Sequence, residues 1–207
     1  MSDEATLPDY SEWLTRDRLD AEEAAWATPA AVLGHRRDAS RVAAVVRARG
    51  LRSVIEVGCG TGRVASMIPA DLAYIGLDKN AGCLTRSRLR VPTRAFLRAD
   101  VREVAARFPE LRADVVCCFS VMKHFGLHEW EAVLAAVLRL GRHGVVEAQV
   151  AAEDREDVGH GFHHVWVSEA RLRRAVAAAG HAVAEVFVIE VIPHQGESWH
   201  VVTEARV

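Results

Sequence analysis

Glu56 lies in the short apolar run Val54-Ile55-Glu56-Val57, and Gly58, Gly60 and Gly62 follow at every second position, with Cys59 between the first two. A turn lacking Cβ atoms at three positions lets a ligand lie against the main chain. Asp78 closes the next apolar run, Ala73-Tyr74-Ile75-Gly76-Leu77-Asp78, where a doubly wound sheet offers a carboxylate to ribose hydroxyls. A bare turn and an acid at this separation point to a cofactor that contains a nucleoside. Further along, Ser120-Val121-Met122-Lys123-His124-Phe125 follows another apolar run. A neutral imidazole at His124 is suited to accept a proton from a hydroxyl or amine. The alternative role for His124 is that of a loop histidine that orients backbone or packs on the following helix.

Such groups need strands that end at a common edge. Apolar runs near 53–57, 73–77, 93–98, 113–119 and 144–150 alternate with segments of helical composition, which predicts a parallel sheet covered on both faces. Two helices are expected between Asp20 and Gly50, and a third carries Trp130, Val133, Leu134, Val137 and Leu138 as one apolar stripe. Ser168 caps a further helix that stops at Gly180. The β-rich runs 182–192 and 199–205 are separated by only six residues. That link is too short for a crossover helix, so the last two strands form an antiparallel pair.

The chain of 207 residues fits one domain. Its net charge of -2 leaves no electrostatic footprint for nucleic acid. The arginines Arg86, Arg88, Arg90, Arg94 and Arg98 read as a solvated face, because the chain has lysine only at Lys79 and Lys123. Cys59, Cys83, Cys117 and Cys118 read as buried free thiols in a reducing compartment, since neighbouring strand residues point to opposite faces. No charge-free apolar run approaches membrane-spanning length, and the acidic start Met1-Ser2-Asp3-Glu4 is unlike a signal peptide. A soluble, cytoplasmic protein is expected.

Together, the acid and Gly-x-Gly-x-Gly turn after the first strand, the acid ending the second and the closing hairpin resemble the class I S-adenosylmethionine-dependent methyltransferases, over roughly residues 40–207. The resemblance implies an α/β fold, Rossmann-like and doubly wound, with a mostly parallel seven-stranded sheet and a C-terminal antiparallel hairpin. It implies S-adenosylmethionine as cofactor. Glu56, Gly58, Cys59, Gly60 and Gly62 would line its methionine part, and Asp78, with Lys79 beside it, would take the ribose hydroxyls. Asp100 and Val101 match the position that holds adenine, Asp100 accepting from the exocyclic amine. Phe119 and Ser120 match the position facing the methionine amino group and the substrate.

A nicotinamide dinucleotide site competes for the glycine turn, but its third glycine would fall where this chain has Arg63. An NAD(P)-dependent oxidoreductase and a non-catalytic S-adenosylmethionine-binding protein are the alternatives. The cluster Gly159-His160-Gly161-Phe162-His163-His164 lacks the spacing and partners of a metal site. It is expected as a substrate-side loop, with His163 and His164 as contacts, beside a solvated charge run at 153–157. Tyr10, Trp13 and Trp26 lie in an extension, residues 1–39, that either covers the substrate pocket as a lid or anchors an added helix. Near-neutral charge and one compact domain favour a small-molecule methyl acceptor.

Overall fold

The computed structural model describes residues 16–159, 162–192 and 196–206. β1 (Ser53–Val57), β2 (Ala73–Asp78), β3 (Ala95–Arg98), β4 (Ala113–Cys118) and β5 (Gly141–Ala151) run parallel in the spatial order β3-β2-β1-β4-β5. Successive strand side chains point to opposite faces. Val54, Val115, Cys117 and Val145 therefore pack on one side, and Ile55, Val57, Val116, Cys118 and Val146 on the other. Cys117 and Cys118 are divided between the faces, and all four cysteines are buried free thiols.

Helices cover both faces. α1 (Arg16–Trp26) leads into α2 (Pro29–Arg49), which opens at Thr28, whose Oγ1 accepts from the Ala31 amide, with proline in its first turn. α2 buries Val42, Val45 and Val46 against the Val54 face. It is continuous across residue 39, so the expected edge of the N-terminal extension falls inside a helix. α3 (Ala81–Arg90), α4 (Val101–Arg107), α5 (Leu127–Arg139) and α6 (Glu169–Ala178) follow. The α5 stripe from Trp130 to Leu138 is almost wholly buried on the Ile55 face, where a Leu134→Ala change would cost about 2–5 kcal/mol.

β8 (His181–Ile192) and β9 (Gly196–Ala205) are the predicted antiparallel pair, and β9 inserts between β8 and β5, antiparallel to both. The seven expected strands are joined by two more. β6 (Arg155–Gly159) and β7 (Phe162–Ser168) form an antiparallel hairpin where a substrate-side loop was expected. β5 outruns β4, whose pairing ends at Val146, and β7 takes up the free edge at Val150 and Ala151, satisfying backbone groups that would otherwise lack partners. The charge run is not merely solvated: Asp154 accepts from the Ser168 amide and Glu156 from the Leu127 amide.

The segment between β1 and β2 is also different from its helical composition, folding as consecutive turns. Pro69 brings no N–H and restricts the residue before it, so too few residues remain after Gly62 for a helix. Arg94 ties this segment down by donating to the carbonyls of Ile68, Pro69 and Leu72. The other clustered arginines likewise hold backbone or acids. Arg88 donates to the Phe96 carbonyl, Arg98 to that of Lys79, and Arg86 and Arg90 pair with α1. No described helix is long and apolar enough to cross a membrane.

Candidate functional site

The sheet order reverses between β1 and β4, and ligands of such sheets bind at the carboxyl edge of that switch point. A cavity of about 520 Å³ opens there, lined by the turn after β1, by 77–80, by 99–101 and by 119–125, with Trp26, His35 and Asp38 from the helices and His164 from β7. A larger hollow of about 720 Å³ lies at the far end of β5, beside Ser168, Glu169, Arg173 and Glu197. None of the predicted site residues lines it.

The turn after β1 is fixed before any ligand arrives. The Gly58 and Cys59 amides both donate to the Leu77 carbonyl. Gly58 has φ of 71°, and a Cβ there would fall 2.1 Å from Val121 Cγ2, so the loop after β4 rests directly on this glycine. Gly62 has a different use. It is not among the cavity residues, and its missing Cβ admits Ser87 of α3, 3.0 Å from where that atom would be.

Asp78 is held at both oxygens. The Gly60 amide donates to Oδ2 and the Asn80 amide to Oδ1, each at 2.8 Å. Burial pushes its carboxyl upward, opposed by these main-chain donors. Glu56 is 3% exposed and accepts from the Tyr74 hydroxyl. Burial, with Asp78 and Asp38 nearby, pushes the Glu56 carboxyl up to about 8.

Asp100 caps α4 by accepting from the Arg102 amide, and the Arg102 side chain grips both of its oxygens. Those bonds hold Asp100 down at about 2, with Lys79 adding its charge from 3.5 Å. Both Asp100 oxygens are thus already engaged by Arg102. Val101 lines the cavity beside it.

On the opposite wall, Phe119 lines the cavity and tilts over His200, while Ser120 follows with φ of 56°. Glu147 of β5, 8% exposed, accepts from both the Ser120 amide and hydroxyl, and its other oxygen accepts from Gln149 and Ser198. His124 and His164 line the cavity with rings edge to face, centroids 6.3 Å apart. Trp26 lines it too, with the Arg63 guanidinium 3.9 Å from its ring centroid. Tyr10 and Trp13 lie outside the described residues, as does the side chain of His163.

Two cavity residues escape a motif-based reading. His35 and Asp38 lie one turn apart on α2, and Asp38 Oδ1 and His35 Nε2 are buried without a hydrogen bond. Asp38 Oδ1 does lie 3.2 Å from Nε2 of the fully buried His200. A signal was present: Asp38 occupies the same helical stripe as Val42 and Val46, an acid where the core expects an apolar residue.

Residues 54–144 match a family model described as a methyltransferase domain. Trans-aconitate 2-methyltransferase of Methylobacterium radiotolerans is 30% identical over 153 residues, covering 72% of this chain and 53% of that protein. The chain thus spans about half the length of the curated relative it matches. Among solved structures, magnesium protoporphyrin IX methyltransferase from Synechocystis with bound SAH shares the fold with a TM-score of 0.74 at 15% identity, over 95% of this chain and 98% of that one. The 1,6-didemethyltoxoflavin-N1-methyltransferase of Burkholderia thailandensis does so with a TM-score of 0.70 at 14% identity, over 92% and 85%. With the glycine turn, both acids and the inserted last strand in place, residues 54–144 match a methyltransferase domain and the chain shares the Rossmann-like fold of these methyltransferases.

Proposed function

We propose that this chain binds S-adenosylmethionine at the β1–β2–β4 edge and transfers its methyl group to a small-molecule acceptor. The observation that carries this function is the half-buried Asp78 carboxylate, oriented by the Gly60 and Asn80 amides inside the cavity. Two adjacent ribose hydroxyls are what such an acceptor receives. The hydrogen-bond-free atoms of Asp38 and His35 fit the polar half of the cofactor. Asp38 and Glu56 suit its ammonium, and His35 and Arg63 its carboxylate. Asp100 and Val101 flank the adenine.

The cofactor supplies a methyl group already activated on a sulfonium. The chain supplies alignment, with Phe119, Ser120 and Phe125 walling the path of approach. Fixing the reactants in line is worth about 7–11 kcal/mol of barrier. His124 takes the proton when the acceptor is a hydroxyl or amine. Trp26 and α1 act as the cover, excluding water from the cavity mouth. Trans-aconitate, the acceptor named for the curated relative, heads the compounds to be tried. Buried free thiols suit a reducing cytoplasm.

Calorimetry with S-adenosylhomocysteine and with reduced nicotinamide dinucleotide tests the cofactor, and transfer of labelled methyl to a panel of metabolites tests turnover. Binding of the dinucleotide alone overturns the assignment. Binding of S-adenosylhomocysteine without transfer to any compound makes the chain a binder and not an enzyme.

A further inference from the structure

The carboxylates that line the cavity are confined to one side, where Arg63 and Lys79 also lie. The four lining acids, Asp38, Glu56, Asp78 and Asp100, come from α2, β1, β2 and the α4 cap, around the place proposed for the cofactor. The described residues lining it past the end of β4 and on β7 include Lys123, His124 and His164 and no carboxylate. The chain has only two lysines, and both line this cavity. Lys79 is taken by Asp100 at 3.5 Å.

Lys123 is the other one, half-buried on the turn Met122–His124. Its ammonium makes no hydrogen bond or ion pair with a described residue. Glu147 feels its field, but both oxygens of Glu147 are already taken, one by Ser120 and one by Gln149 and Ser198. A half-buried cation with no ion pair among the described residues gains from a ligand that brings the opposite charge.

We propose that the methyl acceptor is an acid whose carboxylate pairs with Lys123, with the His124 and His164 imidazoles beside it. The assignment rests on the methyltransferase function proposed above. A lone ammonium is a compact point charge and suits one carboxylate, whereas a phosphate dianion is served better by a guanidinium fork or several amides.

The test uses the whole chain and a broad panel of small carboxylic acids paired with their amides. Each compound is assayed for methyl transfer from labelled S-adenosylmethionine, and each accepted compound for binding to the chain saturated with S-adenosylhomocysteine by calorimetry. The accepted compounds are expected to be acids, their amides binding about tenfold or more weaker. Lys123→Met should weaken acid binding by a similar factor, Lys123→Arg should restore most of it, and S-adenosylhomocysteine affinity should stay within about twofold. Amides accepted as well as acids, acids left unused, or a Lys123→Met variant that binds acids normally would overturn the proposal. If S-adenosylhomocysteine itself does not bind, it is the cofactor assignment that fails.

Discussion

The amide and the hydroxyl of Ser120 both donate to a single oxygen of Glu147, at 2.8 and 3.1 Å. Ser120 is the one non-glycine described residue with positive φ, a conformation that persists only where its surroundings over-determine it. Val121, next in the chain, rests on Gly58. Glu147 thereby fixes the distance between the two walls of the cavity. Glu147→Ala should lower stability by about 1–3 kcal/mol and weaken S-adenosylhomocysteine binding. Adding Ser120→Gly should recover part of both, because glycine adopts this φ without strain. Urea unfolding and calorimetry on the single and double variants check this, and an alanine variant equal to wild type in both would refute it.

The ammonium site proposed at Glu56 would make cofactor binding proton-linked. With its carboxyl raised from 4.5 to about 8, the folded chain holds a proton that the unfolded chain releases. Its contribution to stability is therefore full below pH 4.5 and declines as pH rises towards 8. An ammonium received beside Glu56 favours the ionised form, so binding at pH 7 should expel up to about one proton. Calorimetry of S-adenosylhomocysteine in buffers of different ionisation enthalpy reads that number. Glu56→Gln should abolish it; equal heats in all buffers for the parent chain would contradict the linkage.

Much of this architecture is legible from local pattern. The α5 stripe, the Ser168 cap and the short link before β9 each follow from spacing alone. The β6–β7 hairpin is hidden because charges beside and within β6 satisfy amides instead of facing water, Asp154 at Ser168 and Glu156 at Leu127. Gly62 belongs to the motif yet packs α3, since sequence spacing does not say which side of a turn meets the ligand. Asp38 and Glu147 escaped because their partners, His200 and Ser120, are distant in sequence and near only once the sheet forms.

His124 distinguishes proton transfer from simple positioning. For a hydroxyl or amine acceptor, His124→Asn should lower turnover by about a hundredfold or more while leaving S-adenosylhomocysteine affinity unchanged. A variant with full turnover removes the base role.

The cover proposed for α1 would be latched by charge. Glu23 of α1 meets Arg90 at 2.9 Å, Arg86 at 3.5 Å and Arg63 at 3.6 Å, and Arg90 also donates to Thr61 in the glycine turn. Among the described side chains of α1, Leu19 alone is buried, against Cys83. Glu23→Gln should speed S-adenosylhomocysteine release by about two- to fivefold, and salt should do the same to the parent chain. Stopped-flow dissociation at low and high ionic strength checks both, and a rate indifferent to salt would remove the latch.

The most direct measurement is titration of S-adenosylhomocysteine into the parent chain and into Asp78→Ala. The parent should bind it, and the variant should bind about ten- to a hundredfold more weakly, the worth of hydrogen bonds to a charged acceptor. Equal affinity in the two would contradict the placement of the nucleoside at Asp78, and with it the site.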